Sequence, residues 1–364
     1  MIRLKTLFVG MAMMLSCVLA TAQTLSSDVM RPIPVQSEPS VREAVIGVSA
    51  AYLRAAADYE SPLETQELMG TVVKILETDR YWCKVESPQP YIAWCTDRVL
   101  VPMAGEELEA YKAAPKYVCI APISRVLAQP SNGAAQLCDV VLCDCLRVVF
   151  QACGKGDKAA GQKTDGSKKK ARPLTKGKFA AVLLPDGRQG WMPKDELMCE
   201  KEWLALGADL RKQAGWEDGR SEQADRDAMA GMPGGKPFSD VFRAQLVAEA
   251  KGFLGTPYLW GGMTPKGFDC SGLVRMVYLR YGLFLPRNAS QMAKLGREVA
   301  LANARPGDLL FFGVNGRVTH IGMYIGEDHF IHSSHLVRIN AVGYDAPDAY
   351  ENWFKFLFCR NILD

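Results

Sequence analysis

A chain of 364 residues is long enough for two or three domains. Its 43 basic and 40 acidic side chains leave a net charge of +3, which neither selects nor rules out an anionic partner. After the first 22 residues no stretch approaches the ~18 consecutive apolar residues of a spanning helix, so no transmembrane segment is expected in the mature chain.

The chain opens with Arg3 and Lys5, an apolar run from Leu7 to Ala20, and Ala20-Thr21-Ala22. Residues 1–22 read as a secretory signal cut after Ala22, which predicts an exported, periplasmic or cell-envelope protein. Met14-Leu15-Ser16-Cys17 has some likeness to a lipoprotein signal, but the A-x-A site is better formed.

Residues 41–105 hold short strand-like pieces separated by turn residues, among them Ala51–Arg54, Tyr81–Val85 and Tyr91–Cys95. Residues 115–200 repeat the pattern, with Ser124–Pro130, Cys145–Phe150, Phe179–Leu184 and the tight-turn pair Asp186-Gly187. Both modules are predicted to be small all-β barrels. Tyr91-Ile92-Ala93-Trp94 and Arg188-Gln189-Gly190-Trp191 hold corresponding places, a weak repeat at roughly 95 residues. Trp94 and Trp191 are expected in the barrel cores.

Ten cysteines remain after cleavage. Cys83 and Cys95 flank a predicted hairpin and are the most plausible disulfide pair. Cys119, Cys138, Cys143, Cys145, Cys153 and Cys199 allow fifteen pairings among themselves, and buried reduced thiols are the alternative throughout. Residues 154–178, rich in lysine, glycine and alanine, are expected as a mobile basic loop within the second barrel. Such a loop either dwells on anionic envelope polymers or is a solvated insertion. No aromatic residue is interleaved with its charges, so no nucleic-acid platform is expected.

Residues 201–238 read as a linker, helical at first and then broken by Gly231-Met232-Pro233-Gly234-Gly235. A helix is predicted from Ser239, which supplies an N-cap.

The chemistry concentrates in residues 239–364. Cys270 lies in Phe268-Asp269-Cys270-Ser271-Gly272-Leu273, followed by an apolar run of helical length. That places it at a helix start, where unsatisfied N–H groups and the helix dipole favour a thiolate nucleophile. All four histidines lie downstream. The segments Arg317–Gly326 and His329–Ser334 read as a hairpin that sets His320 beside His332. His320 is the candidate base and His332 the group that orients it; His329 and His335 are expected in exposed or local roles. No H-E-x-x-H or C-x-x-C spacing supports a metal site, and no cofactor is expected.

Six ordered segments resemble the NlpC-type cell-wall cysteine peptidases, a papain-like family. They are Leu254–Gly262, Phe268–Leu273, Leu285–Gln291, Arg305–Phe312, Thr319–Tyr324 and Ile331–Ser334. The two N-terminal modules resemble bacterial SH3-like domains, which often precede this type of peptidase. The resemblance implies a multidomain α+β chain: two small SH3-like β-barrels followed by a papain-like α+β peptidase domain. It implies a triad of Cys270, His320 and His332. It implies hydrolysis of the amide between D-glutamate and a diamino acid in peptidoglycan stem peptides. A monomer is expected. Tyr258 is then expected near the oxyanion. Asp269, Ser271 and, from the first barrel, Tyr91 are expected around an amino-terminal L-alanine. Two rivals stand beside this expectation. One is a non-catalytic wall-binding protein; the other is an acyl transferase on the same fold.

Overall fold

The computed structural model describes residues 42–88, 91–151, 171–213, 238–342, 346–350 and 355–363. The expected signal segment, most of the basic loop and linker residues 214–237 lie outside the described residues. Alternating apolar and polar residues form a first sheet of seven strands. These are β1 (Glu43–Ile46), β2 (Ala51–Arg54), β3 (Leu63–Glu67), β4 (Val72–Asp79), β5 (Trp82–Glu86), β6 (Ile92–Thr96) and β7 (Leu100–Pro102). Helix α1 (Gly105–Ala113) leads to the next group, β8 (Lys116–Cys119), β9 (Ile123–Leu127), β10 (Gln136–Val141), β11 (Cys145–Val148), β12 (Phe150–Gln151) and β13 (Arg172–Pro173). It continues with β14 (Thr175–Lys176), β15 (Phe179–Leu183), β16 (Gln189–Pro193) and β17 (Leu197–Cys199).

The two sheets have one topology. Their strand orders are β3-β2-β6-β5-β4-β1-β7 and β10-β9-β16-β15-β11-β8-β17. Trp94 of β6 pairs with Arg54 of β2, and Trp191 of β16 pairs with Leu127 of β9. The weak sequence repeat is thus a structural duplication. The tryptophans themselves are not core residues, contrary to expectation. Strand alternation turns Ala93, Cys95 and Met192 inward, so Trp94 and Trp191 are left half-buried on the other face.

Two further expectations are corrected. Arg172–Lys178 is not loop throughout, because β13 pairs with β12 and β14 with β15. All nine described cysteines are free. Cys83 and Cys95 do face each other across β5 and β6. Two residues away the Asp97 N–H donates to the Tyr81 carbonyl, so alternation puts the cysteines at a hydrogen-bonded position. Both thiols are buried in the core of the first sheet, where a free cysteine packs as a small apolar side chain.

Helix α2 (Glu200–Gln213) follows β17, and its Trp203 indole donates to the carbonyls of Leu279 and Arg280. The C-terminal domain begins with α3 (Asp240–Lys251), whose Ser239 cap accepts from the Phe242 N–H. A small hairpin, β18 (Met263–Thr264) and β19 (Gly267–Phe268), precedes α4 (Cys270–Leu279) and the short α5 (Ala289–Met292). A six-stranded antiparallel sheet completes the domain, in the order β20-β25-β21-β22-β23-β24. Its strands are β20 (Arg297–Val299), β21 (Leu309–Val314), β22 (Arg317–Gly326), β23 (His329–Ser334), β24 (Leu336–Ala341) and β25 (Lys355–Asn361). The β22–β23 turn uses Glu327 and Asp328 with φ of 51° and 55°, the doubly left-handed turn that suits strand twist. All ten residues of α4 are buried, since the sheet covers one side and Trp203, α3 and β18 the other.

Candidate active site

Asp269 caps α4, its Oδ1 accepting from the Gly272 N–H at 2.6 Å. Cys270 is therefore the first helical residue, as predicted, and its N–H has no partner within the helix. Gly272 follows because nothing larger fits: a Cβ there would lie 2.0 Å from the Gly262 carbonyl oxygen. The Asp269 N–H also donates to that carbonyl, at 2.9 Å, so the loop Trp260–Gly262 and the helix start are one rigid unit.

Strands β22 and β23 bring the two histidines together, His320 Nε2 lying 2.8 Å from His332 Nδ1. His332 Nε2 lies 2.9 Å from Asn340 Oδ1, and Asn340 Nδ2 donates to the Asp348 carbonyl at 2.8 Å. This chain of contacts fixes the tautomers. The carbonyl of Asp348 demands the amide nitrogen of Asn340, which leaves Oδ1 to accept from His332 Nε2–H. His332 Nδ1 is then an acceptor, and His320 Nε2 is the donor to it. The lone pair of His320 is thereby on Nδ1.

Burial works against a charge on both partners. Burial pushes the Cys270 thiol up to about 12, with the Asp269 carboxylate adding to the shift. The N–H groups of Ile321 and Ser271 and the Arg287 guanidinium oppose it. Burial also holds His320 well below the ordinary imidazole range, helped by His332 and Arg338. His332 is lowered to about 4 by burial against the pull of its bond to Asn340. The helix start alone does not produce a thiolate, because burial outweighs it.

A cleft of about 490 Å³ collects Cys270, His320, Tyr258, Asp269, Ser271 and Tyr91, with His332 behind it. Burial raises the Tyr258 phenol, so it is a neutral O–H donor. Tyr91, just before β6, donates to Glu64 Oε2 at 2.7 Å, and both line the cleft. Asp269 lines the cleft with both carboxylate oxygens already bonded. Its two oxygens are taken by the Gly272 N–H, the Ser271 hydroxyl and a two-pronged pair with Arg287. Arg287 also donates to Ser271 Oγ at 3.0 Å and to Thr65 Oγ1 at 2.8 Å. The remaining histidines are peripheral to this bonded chain. His329 pairs with Asp348 at the surface, and exposed His335 takes a left-handed φ of 62° at the β23–β24 turn.

Sequence reasoning missed Glu64, Asn340 and Arg287. Arg287 lay inside a segment quoted for the family resemblance; the others carried no local signal. Among the described residues no group of three or more His, Cys, Asp or Glu side chains is placed to hold a metal ion. No helix among them is long and apolar enough to cross a membrane.

The NlpC/P60 family model matches residues 255–355, and the bacterial SH3 domain model matches residues 49–100. The chain thus carries an NlpC/P60 domain preceded by a bacterial SH3 domain and its structural duplicate. The gamma-D-glutamyl-L-lysine dipeptidyl-peptidase of Bacillus subtilis strain 168 is 44% identical over 84 residues, 22% of this chain and 28% of the relative. The Bacillus cereus protein of the same name is 30% identical over 172 residues, 45% of this chain and 42% of the relative. The gamma-DL-glutamyl hydrolase of Bacillus subtilis is 38% identical over 111 residues, 29% of this chain and 27% of the relative. The chain therefore spans about a quarter to two fifths of the length of these curated relatives. The crystal structure of an NlpC/P60 family protein from Bacillus cereus ATCC 10987 superposes with a TM-score of 0.61 at 22% identity, covering 88% of this chain and 100% of that one. That likeness is one of fold.

Proposed function

We propose that the protein is a cysteine peptidase that hydrolyses the γ-D-glutamyl–diamino acid amide of peptidoglycan stem peptides, with a preference for stems bearing a free N-terminal L-alanine. One observation carries the reading. A single cleft holds Cys270 at a helix start, His320 backed by His332 and Asn340, and the Glu64–Tyr91 pair reaching in from the first β domain. The names of the two dipeptidyl-peptidase relatives support the bond and the free amino end.

His320 Nδ1 takes the Cys270 proton as the sulfur attacks the γ-carbonyl carbon, and the carbonyl electron pair moves onto oxygen. The Cys270 N–H and the Tyr258 hydroxyl are the donors on that side of the cleft. His320 returns the proton to the leaving amine, and a thioester remains. Water then attacks the thioester, His320 takes its proton, and that proton goes back to the departing sulfur. Glu64 is the carboxylate for the substrate ammonium, since the carboxylate of Asp269 is engaged by Arg287. A stem still joined to glycan has an amide in place of that ammonium. Peptidoglycan as substrate places the action at the cell envelope.

Digestion of defined muropeptides, read by mass spectrometry, tests the proposal. Free tripeptide stems should release L-alanyl-γ-D-glutamate, and the same stems N-acylated by a muramyl group should be poor substrates. No cleavage of either would leave wall binding as the better reading. The polar wall of Glu64, Tyr91, Ser271 and Asn288 suits a peptide better than the fatty chain an acyl transferase would need.

A further inference from the structure

Tyr350 takes no part in the proton transfers above, yet among the described residues its ring is the one most closely aligned with the base. It is buried, and its plane lies within 24° of the His320 imidazole at a centroid separation of 5.3 Å. It presents an edge-on contact to His332 at 4.6 Å and further ring contacts to Phe312 and Phe330 at 5.6 and 5.7 Å. Its backbone is held too. The Tyr350 N–H donates to the Ala341 carbonyl at 3.3 Å, and Ala349 bridges Ala341. The same short segment contains Asp348, whose carbonyl anchors Asn340 and hence the tautomers of both histidines.

We propose that Tyr350 is a positioning residue for the general base: its ring face holds the plane of His320 and stabilises the imidazolium that forms when Cys270 gives up its proton. This rests on the peptidase reading above and deepens it. An aromatic face carries negative charge density, and a cation over it is attracted. Stacking therefore favours the protonated ring over the neutral one and opposes the burial that disfavours a charge on His320. Around the pair, His332 accepts from Nε2, Phe312 lies 6.0 Å from the His320 ring, and the Arg338 guanidinium lies 6.0 Å from the Tyr350 ring. Arg338 repels the imidazolium, while the Tyr350 face and the lone pair of His332 Nδ1 attract it. Because the charge exists only once the thiol has lost its proton, the effect belongs in kcat and not in KM.

The test is alkylation of Cys270 by iodoacetamide across pH, followed by peptide mapping, together with kcat and KM on a free stem peptide. Tyr350→Phe keeps the face and should stay within about twofold of the parent. Tyr350→Met keeps apolar volume but has no face; it should slow Cys270 alkylation at neutral pH about tenfold and lower kcat alike, with KM unchanged and the fold intact by circular dichroism. Equal rates for Tyr350→Met and the parent would overturn the proposal. So would a loss shared by Tyr350→Phe, since the hydroxyl and not the face would then be responsible. His320→Ala separates this from the broader reading. If His320→Ala leaves the alkylation profile unchanged, His320 is not the base, and both ideas fall. If it changes the profile while Tyr350→Met does not, only the Tyr350 proposal fails.

Discussion

At Cys270 two opposing effects meet. The helix start favours the thiolate, and a buried site beside the Asp269 carboxylate disfavours it; the second prevails, with the thiol pushed up to about 12. Proton removal therefore depends on His320, and Cys270→Ala or Cys270→Ser should lower turnover by at least about a thousandfold without loss of fold, as should His320→Ala. Asn340→Ala should cost less, about tenfold, because it frees the tautomer without removing the base. Steady-state kinetics on a free stem peptide check all three. The buried histidines also make a pH prediction. His332 has a folded pKa of about 4 against an ordinary value of 6.5. Above pH 6.5 neither the folded nor the unfolded state holds the proton, so the shift has no effect on stability there. As pH falls from 6.5 towards 4, the unfolded chain takes a proton that the folded one refuses, and stability drops by up to roughly 3 kcal/mol. Urea unfolding at pH 7 and pH 4.5 should show this loss in the parent and a smaller one in His332→Gln.

At the level of elements, α4 and the β22–β23 hairpin were legible because their signals are local. A small-residue helix start, an apolar run of helical length and two alternating strands around a tight turn place Cys270, His320 and His332 without knowledge of distant pairing. The same holds for the Ser239 cap. Asn340, Glu64 and Arg287 were not legible as site residues, since each acquires its partner through a register or docking that no nearby residue announces. Asn340 meets His332 because β24 pairs with β23 with His332 opposite Arg338. Trp94 misled for a related reason: an aromatic in a strand was read as core, while alternation had already given the inward places to Ala93 and Cys95. Arg287 shows what docking adds, joining the cap of α4 to Thr65 of β3 through buried contacts. Arg287→Met would leave the Asp269 carboxylate buried without its counter-charge, which should cost about 3–5 kcal/mol in urea unfolding. Arg287→Lys keeps the charge but not the two-pronged geometry and should cost less.

Across the whole molecule, β3 serves both as a strand of the first β domain and as a wall of the cleft. Gln66 accepts from the Met263 N–H at 2.8 Å, Thr65 accepts from Arg287, and Gly261 approaches Leu63 so closely that a Cβ would lie 2.7 Å from its carbonyl oxygen. The second β domain braces this arrangement from behind. Asp144 accepts from the Met69 N–H at 2.8 Å, and Asp139 is shared between Ser49 and Lys266. Glu64, next in line on β3, is thus held in the cleft by the docking of its neighbours and by Tyr91. If it receives the substrate ammonium in this partly desolvated setting, the charge-assisted bond should contribute roughly 1.5–3 kcal/mol. Glu64→Gln should then lower kcat/KM for free stem peptides about ten- to a hundredfold. Stems N-acylated by a muramyl group should be unaffected, because they present no ammonium, so the ratio between the two substrates should collapse. Tyr91→Phe keeps the carboxylate but loses the bond that aims it, and the ratio should fall only a few-fold. An unchanged ratio in Glu64→Gln would remove the first β domain from amino-end recognition and leave it a purely structural wall.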